Sequence, residues 1–455
     1  MVWLEQLFGN THKLTSEFRM SKQSPFTLAS YPTAILHVDA DAFFTSVEQA
    51  IHPSLKRQPI VTGKERNIIS CASYEAKALG IKRGLPLFRA KRLCPKLVIL
   101  PSDYETYSLY SKRMFSIIQR YTPLIEENSI DENFADISGF RRIFHAPYEQ
   151  IALQMQNAIK EELDITVSIG LSLTKSLAKL ASDFRKPGGL TAVQGRHIHI
   201  LLQQIPLGKV WGFGPNTVQL LAKYGLKTAY DFAIKPENWV NHLLGKVGRE
   251  ILAELRGKVV YPVTPGEKAS YATISKCRTF TPSSAIKEFV YATLVRNVES
   301  AFTKMRRHKL KAKTITIILR EQDFNQTGIE TDLSHPTAST QEMIPIIKTL
   351  FERLFKDNTE YRATIVVLGK LAEDRREQYE LFEDRLRIER LSGVTKVVDK
   401  INEHFGKHTL SLAPTLFLKR TEQSSRDTQP MRKNTLLQGE TRRRRLNLPL
   451  LFIKV

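Results

Sequence analysis

Three acidic residues lie where predicted strands end, and their type and placement suit metal-assisted chemistry. Asp39 follows the apolar stretch at 34–38, and Asp131 and Glu132 lie between two later apolar stretches. Hard Mg²⁺ prefers oxygen ligands, and two such ions about 3.5–4 Å apart can clamp an in-line phosphoryl displacement. A carboxylate shared by both ions requires acids from separate strands to converge. The alternative is that these acids cap turns or pair with the many Lys and Arg residues.

The surrounding pattern predicts an α+β domain that brings these acids together. It indicates a strand at 34–38, a helix buried on one side from 43 to 50, strands at 125–129 and 134–137 around a tight turn at 130–133, a helix at 148–163 and a strand at 165–172. With the 51–100 insertion set aside, the order is β-α-β-β-α-β. This ferredoxin-like arrangement places the hairpin beside the first strand. Asp39 can then face Asp131 and Glu132.

The rest of the chain divides into further segments. The pattern from 51 to 121 indicates strands at 59–63 and 67–73, a short helix ending near Gly80, a basic helix around 86–94 and a longer helix at about 104–121. Residues 187–265 are predicted to form helices separated by Gly-rich turns, and Thr264-Pro265-Gly266 indicates a linker. Residues 270–370 indicate a second β-α-β-β-α-β module, and a basic tail begins after residue 419.

The charge balance favours a polyanionic partner. The chain has 455 residues, enough for several domains, and its 68 Lys and Arg against 46 Asp and Glu give a net charge of +22. Nucleic acid is the commonest polyanion that such an excess meets. Charge alone does not separate a polymerase from a ribosomal or membrane-surface protein.

Cysteine usage and hydropathy predict a protein of the reducing cytoplasm. Cys71, Cys94 and Cys277 are far apart and form no Cys-x-x-Cys pair, which argues against disulfides and zinc sites. No run of 18 apolar residues predicts a membrane span, and the N-terminal residues lack the apolar stretch of a secretory signal. Residues 1–32 are expected to be an extension, with either Met1 or Met20 as the start.

Four motifs in order resemble Y-family DNA polymerases of the bacterial polymerase IV type. They are ILHVDADAFFTSVEQ, CASYEAKALGIKRGLPL, NSIDENFADISG and SIGLSLTKSLAKLASDFRKPGG, and the resemblance runs from about residue 34 to 369. It implies a right-hand polymerase whose domains are a ferredoxin-like palm at 33–50 and 101–186, small fingers at 51–100, a helical thumb with helix-hairpin-helix motifs at 187–265, a β-α-β-β-α-β little finger at 270–371 and a C-terminal region at 372–455.

The resemblance assigns a metal site. Asp39 and Asp131 match the bridging ligands of two Mg²⁺ ions, for which Mn²⁺ can substitute, and Glu132 matches the acid beside the primer terminus. The carbonyl of Ala40 matches a backbone ligand to the nucleotide-bound ion. Asn133 departs from the family pattern, because a small residue is usual after the Asp-Glu pair.

The resemblance also implies a deoxynucleotide site. Phe44 matches the aromatic steric gate that excludes a ribose 2′-hydroxyl, and Phe43 is beside it. Without the family context, both would be interpreted as core aromatics. Tyr74 and Lys186 match residues that grip the triphosphate, and Lys77 stands where many members have Arg. A lysine there loses bidentate phosphate geometry, which puts nucleotide affinity in question.

Two glycine-containing turns are typical of helix-hairpin-helix contacts with duplex DNA. The turns are 210–215 and 244–249, and glycine there allows a phosphate to approach the backbone and the start of the following helix. Either turn alone would be interpreted as ordinary. The predicted DNA contacts are Gly212, Gly214, Gly245, Gly248 and, on the little-finger strand, Lys276 and Arg278.

The segment Gln378-Tyr379-Glu380-Leu381-Phe382 resembles the peptide that docks bacterial polymerases on the sliding clamp, with Gln378, Leu381 and Phe382 as anchors. An exposed linker with two apolar residues is the competing interpretation. The implied partners are primer-template DNA, deoxynucleoside triphosphates and the clamp. We expect a monomeric, low-fidelity translesion polymerase of the bacterial cytoplasm, associated with the nucleoid when bound to DNA and without a proofreading nuclease.

Three other functions each account for part of the sequence. A non-catalytic relative would keep the fold but lose metal-binding acids, yet all three positions are acidic. A nucleotidyl cyclase would share the palm and leave the thumb turns and second module unexplained. A structural nucleic-acid-binding protein would account for the charge but not for the carboxylates.

Overall fold

The computed structural model describes residues 28, 30–266, 271–374, 385–405 and 408–420. The described residues form two compact units, the first up to residue 266 and the second from residue 271 onward. In the described part of the chain, no helix combines the length and the apolar character needed to cross a bilayer. The predicted clamp peptide, the N-terminal extension apart from residues 28 and 30–32, and the basic tail beyond residue 420 lie outside the described residues.

The first unit contains eight strands and eleven α-helices among its described residues. The strands are β1 (Ile35–Ala40), β2 (Ile60–Thr62), β3 (Cys71–Ala72), β4 (Val98–Leu100), β5 (Ile125–Glu127), β6 (Glu132–Asp136), β7 (Val167–Ser172) and β8 (Leu190–Ala192). The helices are α1 (Phe43–Ile51), α2 (Tyr74–Ala78), α3 (Leu87–Leu93), α4 (Tyr104–Gln119), α5 (Arg141–Phe144), α6 (Tyr148–Leu163), α7 (Lys175–Phe184), α8 (Ile198–Gln204), α9 (Pro215–Lys223), α10 (Ala229–Ala233) and α11 (Glu237–Leu255).

In the main sheet of this unit, the hairpin lies beside the first strand, as the sequence predicts. The order is β5-β6-β1-β7-β8, so the β5–β6 hairpin lies beside β1, and β1 is antiparallel to both β6 and β7. The turn has the predicted length but lies two residues earlier, at 128–131: β5 ends at Glu127, and β6 begins at Glu132, which pairs with Asp39. The edge strand β8, parallel to β7, was not predicted.

Burial explains why β1 and β7 form the centre of this sheet. Every residue of β7 is buried, because its apolar residues alternate with small serine and glycine residues and both faces of the strand are covered. In β1, Leu36, Val38 and Ala40 join a core with α1, α4 and α6, while Ile35 packs against Ala178 of α7. The sheet is therefore covered on both faces, and its site residues must lie at a strand end.

The 51–100 insertion forms its own small sheet. Its order is β3-β2-β4, and β4, which the sequence did not predict, runs parallel to β2. A compact apolar cluster that includes Val61, Ile69 and Ala90 joins this sheet to α2 and α3. Residues from 198 to 255 form the helices α8 to α11, and Gly245 interrupts α11 with a φ of 65° and a ψ of −153°.

The second unit contains a β-α-β-β-α-β module followed by further helices. Its elements are β9 (Ile274–Ser284), α12 (Lys287–Arg307), β10 (Leu310–Glu321), β11 (Gln326–Thr337), α13 (Thr340–Leu354), β12 (Tyr361–Glu373), α14 (Arg385–Phe405) and α15 (Phe417–Arg420). The predicted element order is thus present in this unit. Its sheet order, β11-β10-β12-β9, differs from that of the first unit. The helix α14, absent from the sequence prediction, is fixed to α12 by Arg306, whose Nε and Nη2 lie 2.6 and 2.8 Å from Asp399.

Candidate active site

Two of the three predicted acids face each other across neighbouring strands. Asp39 near the end of β1 is the cross-strand partner of Glu132 at the start of β6. The backbone N–H of Ala40 donates to the Asp131 carbonyl oxygen at 2.8 Å, which ties the end of β1 to the hairpin turn. Within the described residues, one group of potential metal ligands has its atoms within 4.8 Å of one another, and it consists of His37, Asp39 and Glu132.

Asp131 lies next to this group without belonging to it. Its carboxylate accepts a hydrogen bond from the hydroxyl of Ser129, in the same turn. The charge of Asp131 nevertheless acts on Asp39, because it contributes to raising the pKa of that carboxyl. The structure therefore brings Asp39 and Glu132 together directly and holds Asp131 alongside, turned toward its own loop.

Helix α7 and the segment after it supply cations to these acids. Lys179 donates to Glu132 Oε2 at 2.5 Å, and Lys186 Nζ lies 2.8 Å from both Asp39 Oδ2 and Asp183 Oδ1. Close packing of α7 on β7 depends on Gly170, where a Cβ atom would lie 1.9 Å from the Ala178 carbonyl oxygen. A glycine in β7 thus allows α7 to approach the sheet and present its lysines.

The pKa values show how strongly this site concentrates charge. Burial raises the pKa of Asp39 to about 6, with Lys186 opposing the shift and the charges of Glu132 and Asp131 adding to it. Burial would also raise the pKa of Glu132, but the adjacent His37 ring and the Lys179 ammonium, which donates to the carboxylate, outweigh it and lower that pKa to about 2. Burial would lower the pKa of Lys186, yet Asp39 and Asp183 raise it.

The donor set fits a divalent cation. Carboxylate oxygens are the ligands that Mg²⁺ and Mn²⁺ prefer, and the pKa of Asp39 is raised partly by neighbouring negative charges that a cation would offset. Two ammonium groups already lie against Asp39 and Glu132. A site with this many oxygen donors and this much local charge suits one or more hard metal ions.

Two buried polar side chains beside the acids, those of His37 and Asp41, were given no role by sequence reasoning, although a signal for them was present. In the segment His37-Val38-Asp39-Ala40-Asp41, residues two apart in a strand point to the same side. His37 is fully buried, and burial lowers its pKa while the adjacent Glu132 carboxylate opposes that shift. Asp41 is 1% exposed and accepts hydrogen bonds from Ser168 Oγ and the Gly188 N–H, both at 2.7 Å. Each of these residues is two positions from Asp39, and this spacing was the signal that could have found them.

The predicted steric-gate residue belongs to an aromatic stack. The ring of Phe44 stacks on Tyr107 with centroids 4.4 Å apart and an interplanar angle of 13°, and it meets Tyr104 edge-on at 5.5 Å. Phe43 is buried in the core, with its ring centroid 5.9 Å from that of Phe44. Tyr107 is fixed in turn by a hydrogen bond of 2.5 Å to Glu48. The half-buried Phe44 ring is thus held in one orientation.

Of the predicted triphosphate residues, Tyr74 lines a cavity of about 190 Å³, whose lining also includes Gly188. The Tyr74 hydroxyl donates to Asp41 Oδ1 at 3.3 Å, and Lys77 Nζ lies 4.1 Å from the centroid of the Tyr74 ring. Lys186 is two residues before Gly188 and reaches Asp39. The structure therefore places Tyr74, Lys77 and Lys186 on the same side of the site as the acids.

The two predicted glycine turns differ in what their glycines do. Gly212 has a φ of 94°, and a Cβ there would lie 2.9 Å from Ile251 Cδ1. Gly214 caps the N-terminus of α9, and a Cβ at Gly214 or at Gly245 would meet nothing within 4 Å. Gly248 is instead buried against Leu244, so its position matches a packing role in α11.

The two predicted cationic DNA contacts occupy the second unit. Lys276 and Arg278 lie on β9 and are half-buried, on the same side of the strand as the buried Ile274 and Phe280. Both side chains make interactions within the protein. A role in binding phosphate would require them to extend past this apolar face.

Two family models match this chain, one in each unit. The impB/mucB/samB family matches residues 38–183, and the C-terminal domain of that family matches residues 272–381. The DNA polymerase IV of Desulfatibacillum aliphaticivorans is 32% identical over 382 residues, which cover 83% of this chain and 96% of the relative. That of Bacillus velezensis is 33% identical over 328 residues, covering 71% and 79%.

A solved structure shares the fold. A Y-family DNA polymerase chimera, Dbh-Dpo4(243-245)-Dbh, matches with a TM-score of 0.65 and 23% identity, over 75% of this chain and 99% of the chimera. At this identity the likeness shows the fold, while the polymerase IV relatives show the family. The chain therefore belongs to the Y family of DNA polymerases, in its polymerase IV group, and is a DNA-directed DNA polymerase.

Proposed function

We propose that this polymerase extends a primer by two-metal phosphoryl transfer, with Asp39, Asp131 and Glu132 as the ligand acids. The observation that carries the proposal is the cross-strand pair of Asp39 and Glu132, within reach of lysine ammonium groups that offset their charge. When bound, two Mg²⁺ or Mn²⁺ ions would lower the pKa of the primer 3′-hydroxyl and neutralise the leaving pyrophosphate.

The chain's own residues then have distinct tasks. Asp39 would supply its carboxylate, and Ala40 its backbone carbonyl, to hold the ions. Asp131 would turn from Ser129 toward Asp39, a rotation that its half-exposed position in the turn permits. Glu132 would help to hold the ion beside the primer terminus.

Nucleotide binding would use the cations and the aromatic stack. The Lys186 ammonium would leave the Asp39 carboxylate and bind the triphosphate. Tyr74 and Lys77 would hold the same phosphates. Phe44, held by Tyr107, would lie where a ribose 2′-hydroxyl projects and so favour deoxynucleotides. Phe43 would support Phe44 from the core.

Template binding would be independent of sequence, since phosphate contacts position a protein without reading bases. The turns at Gly212, Gly214 and Gly245 offer backbone to a phosphate, and Lys276 and Arg278 would add charge. Gly248 would support the second turn by packing. The small 51–100 sheet supports the proposal of a loosely enclosed base pair, hence low fidelity and bypass of damaged template bases.

Primer extension with Mg²⁺ tests this proposal directly. We expect synthesis on an undamaged template, continued synthesis past a lesion, and frequent misincorporation without subsequent excision of a mismatched primer end. The matched reaction without divalent cation should show no extension. Extension that persists in excess chelator would contradict a metal-dependent mechanism, and excision of the mismatched end would contradict the absence of proofreading.

A further inference from the structure

A buried histidine lies directly behind the acids of the site. His37 has no exposed surface, and its ring packs against that of Phe134 with centroids 4.7 Å apart and an interplanar angle of 49°. Its two ring nitrogens face different partners. Nδ1 lies 2.7 Å from Ser182 Oγ, while Nε2 lies 3.4 Å from Lys179 Nζ and 3.3 Å from Glu132 Oε2.

The hydrogens available to these groups determine which of them donate. The Ser182 hydroxyl has one hydrogen and donates it to the Lys179 carbonyl oxygen at 2.8 Å. Ser182 Oγ must then accept from His37 Nδ1, because a carbonyl cannot donate. With its hydrogen on Nδ1, the ring presents a lone pair at Nε2. A nitrogen with a lone pair and a carboxylate oxygen are both hydrogen-bond acceptors, so Nε2 and Glu132 cannot bond to each other. Nε2 must therefore accept from the Lys179 ammonium.

We propose that His37 is a positioning residue: through its Nε2 lone pair it holds the Lys179 ammonium on Glu132 and thereby fixes this carboxylate at the metal-binding edge. Lys179 has three hydrogens to donate, so it can serve His37 and Glu132 at once. Ser182, which is 1% exposed, sets the ring's tautomer from the side remote from Glu132. The functional part of this inference rests on the proposed polymerase mechanism; the tautomer does not.

The first test measures the tautomer in the metal-free protein by long-range ¹H–¹⁵N NMR of ¹⁵N-histidine-labelled chain. The His37→Phe variant assigns the resonance by its disappearance. We expect the hydrogen on Nδ1 in the parent protein. A hydrogen on Nε2, or on both nitrogens, overturns the proposal. Because no catalysis is involved, this result is independent of whether the polymerase mechanism is right.

The second test separates positioning from a structural role. His37→Phe keeps a ring and removes both nitrogens, whereas His37→Gln keeps an acceptor at the end of the side chain. Outer-shell partners of a metal site typically change metal affinity or activity by about 10–100-fold. We expect Mn²⁺ binding to the otherwise metal-free protein, followed by electron paramagnetic resonance, to weaken about tenfold in His37→Phe and to recover in His37→Gln.

The same variants give a kinetic readout. The Mg²⁺ concentration for half-maximal primer extension should rise with the loss of Mn²⁺ affinity, while the KM for the incoming nucleotide changes by less than about twofold. Equal or tighter Mn²⁺ binding in His37→Phe overturns the proposal. So does an equal loss in His37→Gln, because a retained acceptor should then have restored the contact. If His37→Phe fails to fold, His37→Gln alone supplies the resonance assignment, and the tautomer decides the proposal.

Discussion

Two modules of this chain share the element order β-α-β-β-α-β, yet they place their first strands differently. In the first unit, β1 pairs with the hairpin strand β6, so the hairpin turn lies beside the end of β1. In the second unit, β12 is the one described strand that pairs with β9, and the β10–β11 hairpin lies on the other side of β12. Of the described residues, the group of close metal-ligand side chains is confined to the first unit.

Strand order, and not element order, therefore creates the site. An acid at the end of the first strand can meet an acid of the hairpin only where those strands are neighbours. The second unit has acids on its own hairpin strand, Glu330 and Asp332, but they pair with Thr316 and Lys370 across exposed surface. We expect acids in the two hairpins to differ in importance by orders of magnitude.

The largest effect is expected for Asp131→Asn, which should abolish primer extension and leave DNA binding intact. The change removes an anionic ligand and no phosphate contact. Losing several kcal/mol of charge stabilisation corresponds to about 10³-fold in rate or more. The matched control is Asp332→Asn in the second hairpin, whose ion pair is exposed and worth little. Parental extension by Asp131→Asn, or a comparable loss in Asp332→Asn, would contradict the assigned difference between the two hairpins.

The next effect concerns tethering by the second half of the chain. Deleting Gln378–Phe382 should remove clamp stimulation of synthesis and spare basal activity. A flexible link to the clamp acts by raising the local concentration of primer ends, a gain of about 10²-fold or more. Processivity on primed circular DNA, with and without loaded clamp, measures it. A deletion of the same length within residues 421–433 is the control, and stimulation that survives loss of the peptide rejects the docking interpretation.

A smaller effect is expected for Phe44→Ala, which should raise ribonucleotide incorporation by about tenfold or more, because a shape-excluding pocket discriminates by that order. The readout is the ratio of kcat/KM for matched deoxy- and ribonucleotides. Phe324→Ala removes a comparably large aromatic side chain, 65% exposed and stacked on Arg362 in the second unit, and should leave the ratio unchanged. Unaltered sugar selectivity in Phe44→Ala would remove its gate role.

A modest effect should result from Ser129→Ala. The Ser129 hydroxyl donates a hydrogen bond that holds the Asp131 carboxylate within its own turn. Freeing that carboxylate should lower the Mg²⁺ concentration for half-maximal extension by roughly threefold, because a hydrogen bond to an exposed charged group is worth less than a buried one. Ser334→Ala on β11 is the control. A raised Mg²⁺ requirement would mean that Ser129 helps to hold Asp131 in its ligating position.

The sequence predicted the neighbouring strands of the site because their pattern is local and periodic. The strand ending at Asp39, the hairpin and the helix at 148–163 result from apolar periodicity, and all three are confirmed. The short strands β4 and β8 escaped prediction, since three residues carry too little periodicity and their pairing is set by tertiary contacts. The order of the second sheet was equally out of reach, because the same element order allows more than one pairing.

The pairing of individual side chains was harder still to foresee. Nothing in the motif SIGLSLTKSLAKLASDFRKPGG indicates that Lys179 selects Glu132 while Lys186 selects Asp39. Those choices depend on how closely α7 packs on β7 at Gly170. His37 could be placed on the correct face by its spacing from Asp39, but its partner Ser182 comes from a helix distant in sequence. Local pattern fixes a side chain's face, and tertiary packing chooses its partner.

The smallest effect concerns two buried asparagines, one in each unit. Asn297 donates to the carbonyl oxygen and hydroxyl of Thr364, both at 2.8 Å. Asn133 is fully buried, and neither of its polar side-chain atoms has a partner among the described residues. An unsatisfied buried group costs about 1–3 kcal/mol. Asn297→Ala should therefore lower the free energy of unfolding by about that amount, while Asn133→Ala should leave it unchanged or raise it by about 1 kcal/mol. Urea denaturation monitored in each unit measures both, and a clear loss in Asn133→Ala would show that its amide has a bound partner in solution.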